Sequence, residues 1–150
     1  MATANTKATY EQDFYAWTQE QAALLKAGRL TALDIVNIAE ELEDMGKSQR
    51  NQLVTRLGVL LAHLLKWRYQ PERRGYSNSW KYTIKEQRRR IQRLLTENPS
   101  LKSKLDELLQ DAYGDAVLMA AREMGFEEEQ FPVTCPWLLE QVLDNYFWPD

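Results

Sequence analysis

Thiol and imidazole groups are nearly missing from this chain of 150 residues: it has one cysteine, Cys135, and one histidine, His63. A lone cysteine excludes an intramolecular disulfide and any zinc site built from several cysteines. It is compatible with a reducing compartment. Long apolar runs are missing too. The longest, around residues 57–65, is interrupted by His63, flanked by Arg56 and Lys66, and falls well short of the ~20 residues that span a bilayer. Residues 1–7 are small and polar, without the apolar stretch of a signal peptide. The expectation is a cytoplasmic protein with no membrane association.

Strand-like alternation, hairpin turns and internal repeats are absent, which leaves the all-α class. There is also no phosphate-binding glycine loop, HExxH, nucleophile elbow or CxxC. No catalytic residue, cofactor or metal is therefore expected. With 44% hydrophobic and 27% charged residues, the chain has a soluble globular composition and is long enough to bury its own core. It reads as a disordered tail over 1–9 and one helical domain over 10–150.

The most apolar stretch, 53–67, organises the rest. Wound at 100° per residue, Leu53, Val54, Leu57, Leu60, Leu61, Leu64, Leu65 and Trp67 cover an arc of roughly 160°, wider than the ~100° stripe of a surface helix. Such a helix needs neighbours on more than one side and serves as a central pillar. Upstream, Ile35, Ile38, Leu42 and Met45 stay in phase with it across Gly46. The predicted pillar is thus one helix over about 31–69, with Thr31 as its N-cap and a break at Gly46 as the alternative. A glycine inside a helix costs only about 1 kcal/mol against alanine. Pro71 ends it.

Other helices are expected over 10–27 (Tyr10, Phe14, Trp17, Leu24 and Leu25, closed by Gly28), over 80–96 with Ser77 or Ser79 as cap, and over 99–124. The last of these starts at Asn98-Pro99 and stops at Gly125. A short C-terminal helix near 136–144 follows, and the aromatic end, Tyr146-Phe147-Trp148, is expected to be tied down.

Charge is unevenly placed. Between residues 66 and 104 there are twelve basic residues and only Glu72, Glu86 and Glu97 against them, a local +9 within a chain of net charge −3. Such a split points to an anionic partner for the basic segment or to attraction between unlike parts. The candidate partner-binding residues are Arg73, Arg74, Tyr76, Lys81, Lys85, Arg88, Arg89, Arg90 and Arg93. A protein partner or a second copy is the leading reading. Nucleic acid is the alternative, with Tyr76 and Trp80 available for stacking, though the acidic pI near 5.3 argues against it.

Glu41, His63 and Trp67 are the polar-core candidates, His63 as a half-buried hydrogen-bonding residue beside Trp67. A metal-dependent bundle enzyme using His63 is a further alternative. Its obvious carboxylate, Glu41, lies 22 residues away, about 33 Å along a straight helix at 1.5 Å per residue. Ligands would have to come from elsewhere, such as Asp13, Asp106 or Asp111. Nothing in the sequence supports a Cys135–His63 dyad.

Several ordered motifs resemble a known family. They are Asp13-Phe14-Tyr15-Ala16-Trp17, Ile38-Ala39-Glu40-Glu41-Leu42-Glu43-Asp44-Met45-Gly46, Leu60-Leu61-Ala62-His63-Leu64-Leu65-Lys66-Trp67, Gln70-Pro71, Ser79-Trp80, Gln87-Arg88-Arg89-Arg90-Ile91, Asn98-Pro99-Ser100-Leu101, Phe131-Pro132 and Cys135-Pro136-Trp137. Together they resemble the bacterial domain of unknown function numbered twenty-nine, over about 10–143. The resemblance implies an all-helical single domain and brings no activity. Its recurring polar positions are Glu40, Glu41, His63, Arg88, Arg89 and Arg90.

Overall fold

The computed structural model describes residues 6–76 and 78–150, and the cap expected at Ser77 lies outside them. The fold is all-α, with no strand among the described residues. Six α-helices follow in order among the described residues: α1 (Thr6–Gln12), α2 (Phe14–Lys26), α3 (Ile35–Tyr69), α4 (Ser79–Glu97), α5 (Leu105–Met124) and α6 (Leu139–Leu143). They group into two compact units, Met1–Ser48 and Gln49–Asp150. The 35-residue helix α3 runs unbroken through Gly46 and contributes to both.

In the first unit, the helix expected over 10–27 is two helices. α1 begins at Thr6, inside the stretch expected to be a tail, and the chain turns at Asp13. The Asp13 carboxylate accepts from the Ala16 N–H at 3.0 Å and restarts the helix as an N-cap. Periodicity concealed this break, because Tyr10, Phe14 and Trp17 still meet across it, with ring centroids 4.7–5.8 Å apart. Gly28, at φ +70°, closes α2 in the left-handed region.

Asp34, rather than Thr31, caps α3. It accepts from the Asn37 N–H and side-chain amide and from the Trp17 indole N–H at 3.0 Å, while its own N–H donates to Gln21. Thr31 instead lies in a short 3-10 turn, Leu30–Ala32.

The second unit holds the main core. Leu53, Leu57, Leu60, Leu61, Leu64 and Leu65 of α3 are fully buried, as the wide apolar arc demands. They meet Ile84, Ile91, Leu94 and Leu95 of α4, Leu105, Leu108, Leu109, Ala112, Tyr113, Ala116 and Ala120 of α5, and Phe131 and Val142. At roughly 1.5–3 kcal/mol for each buried leucine-sized side chain, this cluster dominates the unit's stability.

Asn98 does not cap the following helix. Its amide donates back to the Leu94 carbonyl, and Pro99–Lys104 form a 3-10 stretch before α5. α6 is shorter than expected because Leu138, its N-cap, is extended. The tail is tied down: Trp148 packs on Trp67 at 4.7 Å, and Arg74 and Arg88 bond carbonyls of the C-terminal segment.

Candidate functional site

The basic segment is sorted by helix geometry into three environments. The first is the outward face of α4, where Lys81, Lys85, Arg89, Arg90 and Arg93 are exposed. Four of these recur at every fourth position, forming a row about 18 Å long at 1.5 Å per residue. The Tyr82 ring lies beneath the Lys81 and Lys85 ammonium groups, 5.9 and 5.8 Å from its centroid. Arg90 is partly neutralised by Glu86 one turn earlier, at 3.2 Å. Lys81, Lys85, Arg89 and Arg93 form no ion pair among the described residues.

The second environment is the anchor for the C-terminal segment, and it removes Arg88 and Arg74 from the surface row. Arg88 is fully buried, correcting its placement among partner-binding residues. Its Nε and Nη2 groups donate to the carbonyls of Val142 and Phe147 at 2.8 and 2.9 Å, and its guanidinium lies 5.6 Å from the Trp148 ring. Burial lowers its pKa, partly opposed by the charge of Asp144. Nη1 is buried without a hydrogen-bond partner among the described residues.

Arg74 donates from Nε to the Trp67 carbonyl at 2.6 Å and stacks 5.0 Å from its ring. Trp67 is therefore the platform on which the tail rests.

The third environment is an open cleft of about 300 Å³ lined by Lys66, Gln70, Arg73, Tyr76, Trp80, Glu123 and Met124. Within it Lys66, whose side chain is only 7% exposed, is paired through its ammonium with the Glu123 carboxylate. The Trp80 ring lies 6.0 Å from the same ammonium. Arg73 and Tyr76 stand exposed at the rim. Trp80 was expected as a stacking residue and Lys66 only as part of the basic segment, while Gln70 and Glu123 escaped the sequence reading. No local signal joins Lys66 to Glu123, 57 positions away on another helix.

His63, one turn before Lys66, is half-buried. Its Nδ1 lies 2.8 Å from the Val59 carbonyl. A carbonyl can only accept, so the proton sits on Nδ1 and leaves Nε2 as an acceptor. Burial is the main cause lowering its pKa, reinforced by Lys66 and opposed by the Val59 bond and Glu123. The imidazole is neutral at physiological pH.

Glu41 belongs to the other unit, where it accepts the Tyr10 hydroxyl hydrogen at 2.6 Å. That bond, above all, raises the Tyr10 pKa to about 12. No group of three or more His, Cys, Asp or Glu side chains suited to a metal ion occurs among the described residues. Burial also raises the pKa of the Cys135 thiol, partly opposed by its hydrogen bond to the Trp137 carbonyl.

The model of the family described as "Domain of unknown function DUF29" matches residues 9–148. The chain belongs to the DUF29 family. No curated protein and no solved structure matches it. Membership in DUF29 carries no activity, so chemistry must be read from these three environments. No helix among the described residues is long and apolar enough to cross a membrane. The α4 row of this DUF29 chain borders a broad open concavity of about 650 Å³, lined by Tyr82, Lys85, Arg89, Arg90 and Arg93 among others, an extended basic surface that suits a macromolecule. The Lys66 cleft offers polar groups within a concavity, which suits a small molecule.

Proposed function

We propose that this protein is a non-catalytic interaction module whose working surface is the outward row of α4, and that the surface it meets is an acidic helix of a second copy. The observation that carries this reading is the row itself: Lys81, Lys85, Arg89 and Arg93 exposed in register, with no ion pair among the described residues. Leaving four like charges along one helix face is unfavourable unless solvent or a partner screens them.

The chain also supplies a suitable counterpart. The N-terminal half of α3 exposes Glu40, Glu43 and Asp44 beside Ile35, Val36, Leu42 and Met45, each of these four more than 60% exposed. Acidic side chains flanking uncovered apolar ones suit a docking helix, with burial giving affinity and charge giving register.

Light scattering behind gel filtration tests the reading. At low salt the mass is expected to exceed the 17.6 kDa of one chain, and to fall to it at high salt. R89E/R93E and E40K/E43K/D44K should each be monomeric, and mixing the two should restore a mixed assembly. A monomer under all conditions refutes self-association. A salt-steep shift of labelled RNA or DNA by the same row would install the nucleic-acid reading instead.

A further inference from the structure

The cleft over the Lys66–Glu123 pair lies apart from the α4 row and is built differently. Lys66, whose side chain is largely buried, lines it, and α5 holds Glu123 against its ammonium. The Lys66 side chain is 7% exposed and that of Glu123 47%, so the pair is a partly buried part of the cleft wall. Two aromatic rings, Trp80 and Tyr76, stand on the same cleft, the first within reach of the ammonium. Arg73 sits at the rim with no ion pair among the described residues.

The charges select the ligand class. Lys66 and Arg73 against Glu123 leave the lining at +1, which one monoanion neutralises and a phosphate dianion overshoots. Arg73 presents a planar fork that matches a carboxylate in two parallel hydrogen bonds. The flat aromatic walls favour a flat ligand body. A space of about 300 Å³ stands at the lower end of ligand sites and fits one ring with a short substituent. His63, one turn before Lys66, is neutral and adds no charge to this balance.

We infer that this cleft binds a small planar monocarboxylate, its carboxylate held by Arg73 and facing Lys66 and its ring lying between Tyr76 and Trp80. The pair beneath does not open: Glu123 stays on Lys66, and the ligand meets the ammonium from the cleft side.

The test uses the full chain labelled with ¹⁵N and three probes at constant ionic strength: benzoate, neutral benzamide and inorganic phosphate. The indole N–H signal of Trp80 is assigned by its loss in Trp80→Phe. Benzoate should move that signal saturably, with benzamide about tenfold weaker, since a charge-assisted carboxylate pair exceeds a neutral one by roughly that factor. Arg73→Ala should weaken benzoate about tenfold. Lys102→Ala, exposed and outside both surfaces, should leave it unchanged.

The assignment is overturned if benzoate leaves the Trp80 signal still up to its solubility limit, if benzamide binds equally well, or if Arg73→Ala binds as the parent does. Phosphate binding more tightly than benzoate also overturns it. Arg73 is exposed, so its loss does not threaten folding. None of these measurements depends on self-association through α4.

Discussion

Arg88 gives the sharpest energetic prediction, because its two neighbours in the Arg88-Arg89-Arg90 run serve as internal controls. Truncating Arg88 to alanine deletes two charge-assisted hydrogen bonds, to the Val142 and Phe147 carbonyls, and the contact with the Trp148 ring. Such bonds contribute roughly 1.5–3 kcal/mol each, and a carbonyl left buried without a donor costs about 1–3 kcal/mol. Removing a desolvated cation with an unpartnered Nη1 offsets part of this. The net loss is expected at about 3 kcal/mol for Arg88→Ala, or a fall in Tm of roughly 6–12 °C at ~2–4 °C per kcal/mol for a chain of this size.

Arg88→Met, which keeps most of the volume, should recover only the packing share of that loss. Arg89→Ala, on the exposed face, should stay within about 0.5 kcal/mol. Urea unfolding measures all three. Carboxypeptidase digestion followed by mass spectrometry reports whether the tail around Trp148 is released. If Arg88→Ala and Arg89→Ala shift the urea midpoint equally, or the tail stays resistant without Arg88, the anchoring account fails.

Two further predictions concern α3. Gly46 is exposed in mid-helix, and a Cβ there would meet nothing within 4 Å, so Gly46→Ala should stabilise the chain by about 0.5–1 kcal/mol in thermal or urea unfolding. A loss of stability would mean that the helix bends or breaks there in solution. His63 has a folded pKa below its unfolded value near 6.5, so its protonation favours the unfolded chain. Its share of stability is complete above the unfolded pKa and is lost as pH falls toward the folded one. Urea titrations between pH 8 and 5 should show stability declining less steeply in His63→Gln than in the parent. Equal slopes would place His63 in water.

The fold was readable where one helix face had to be buried, and harder to read where the chain turned. The wide arc of 53–67 demanded neighbours on several sides, and those leucines are the buried ones. The phase that carried Ile35 and Met45 into Leu53 matched a continuous helix, yet Ile35, Leu42 and Met45 themselves are exposed. Periodicity reports which side chains share a face; it does not report whether anything covers that face. The same limit hid the break at Asp13, since aromatic residues on two successive helices can keep a single-helix spacing. A local signal for it did exist, because an aspartate three positions before Ala16 is a common N-cap.

The candidate site divides along the same line. Three consecutive arginines on a helix are each turned 100° from the next and cannot all share one face. Arg88 lies four residues after Ile84 and three before Ile91, both fully buried, so its residence on the apolar face follows from spacing alone. What spacing cannot supply is the pair of carbonyls that accept from it, since these come from 54 and 59 positions further on. The Lys66–Glu123 pair is of the same kind, a meeting of two helices with no sequence signature.

The +9 count therefore overstated the charge available to a partner. Lys66 is neutralised in the wall of a cleft, Arg74 and Arg88 hold the tail, and Arg90 leans on Glu86. The cations left to act outward on α4 are Lys81, Lys85, Arg89 and Arg93. Any partner of this surface must accordingly read an 18 Å row rather than a diffuse basic cloud. That geometry favours a helix laid alongside over a flexible anionic polymer.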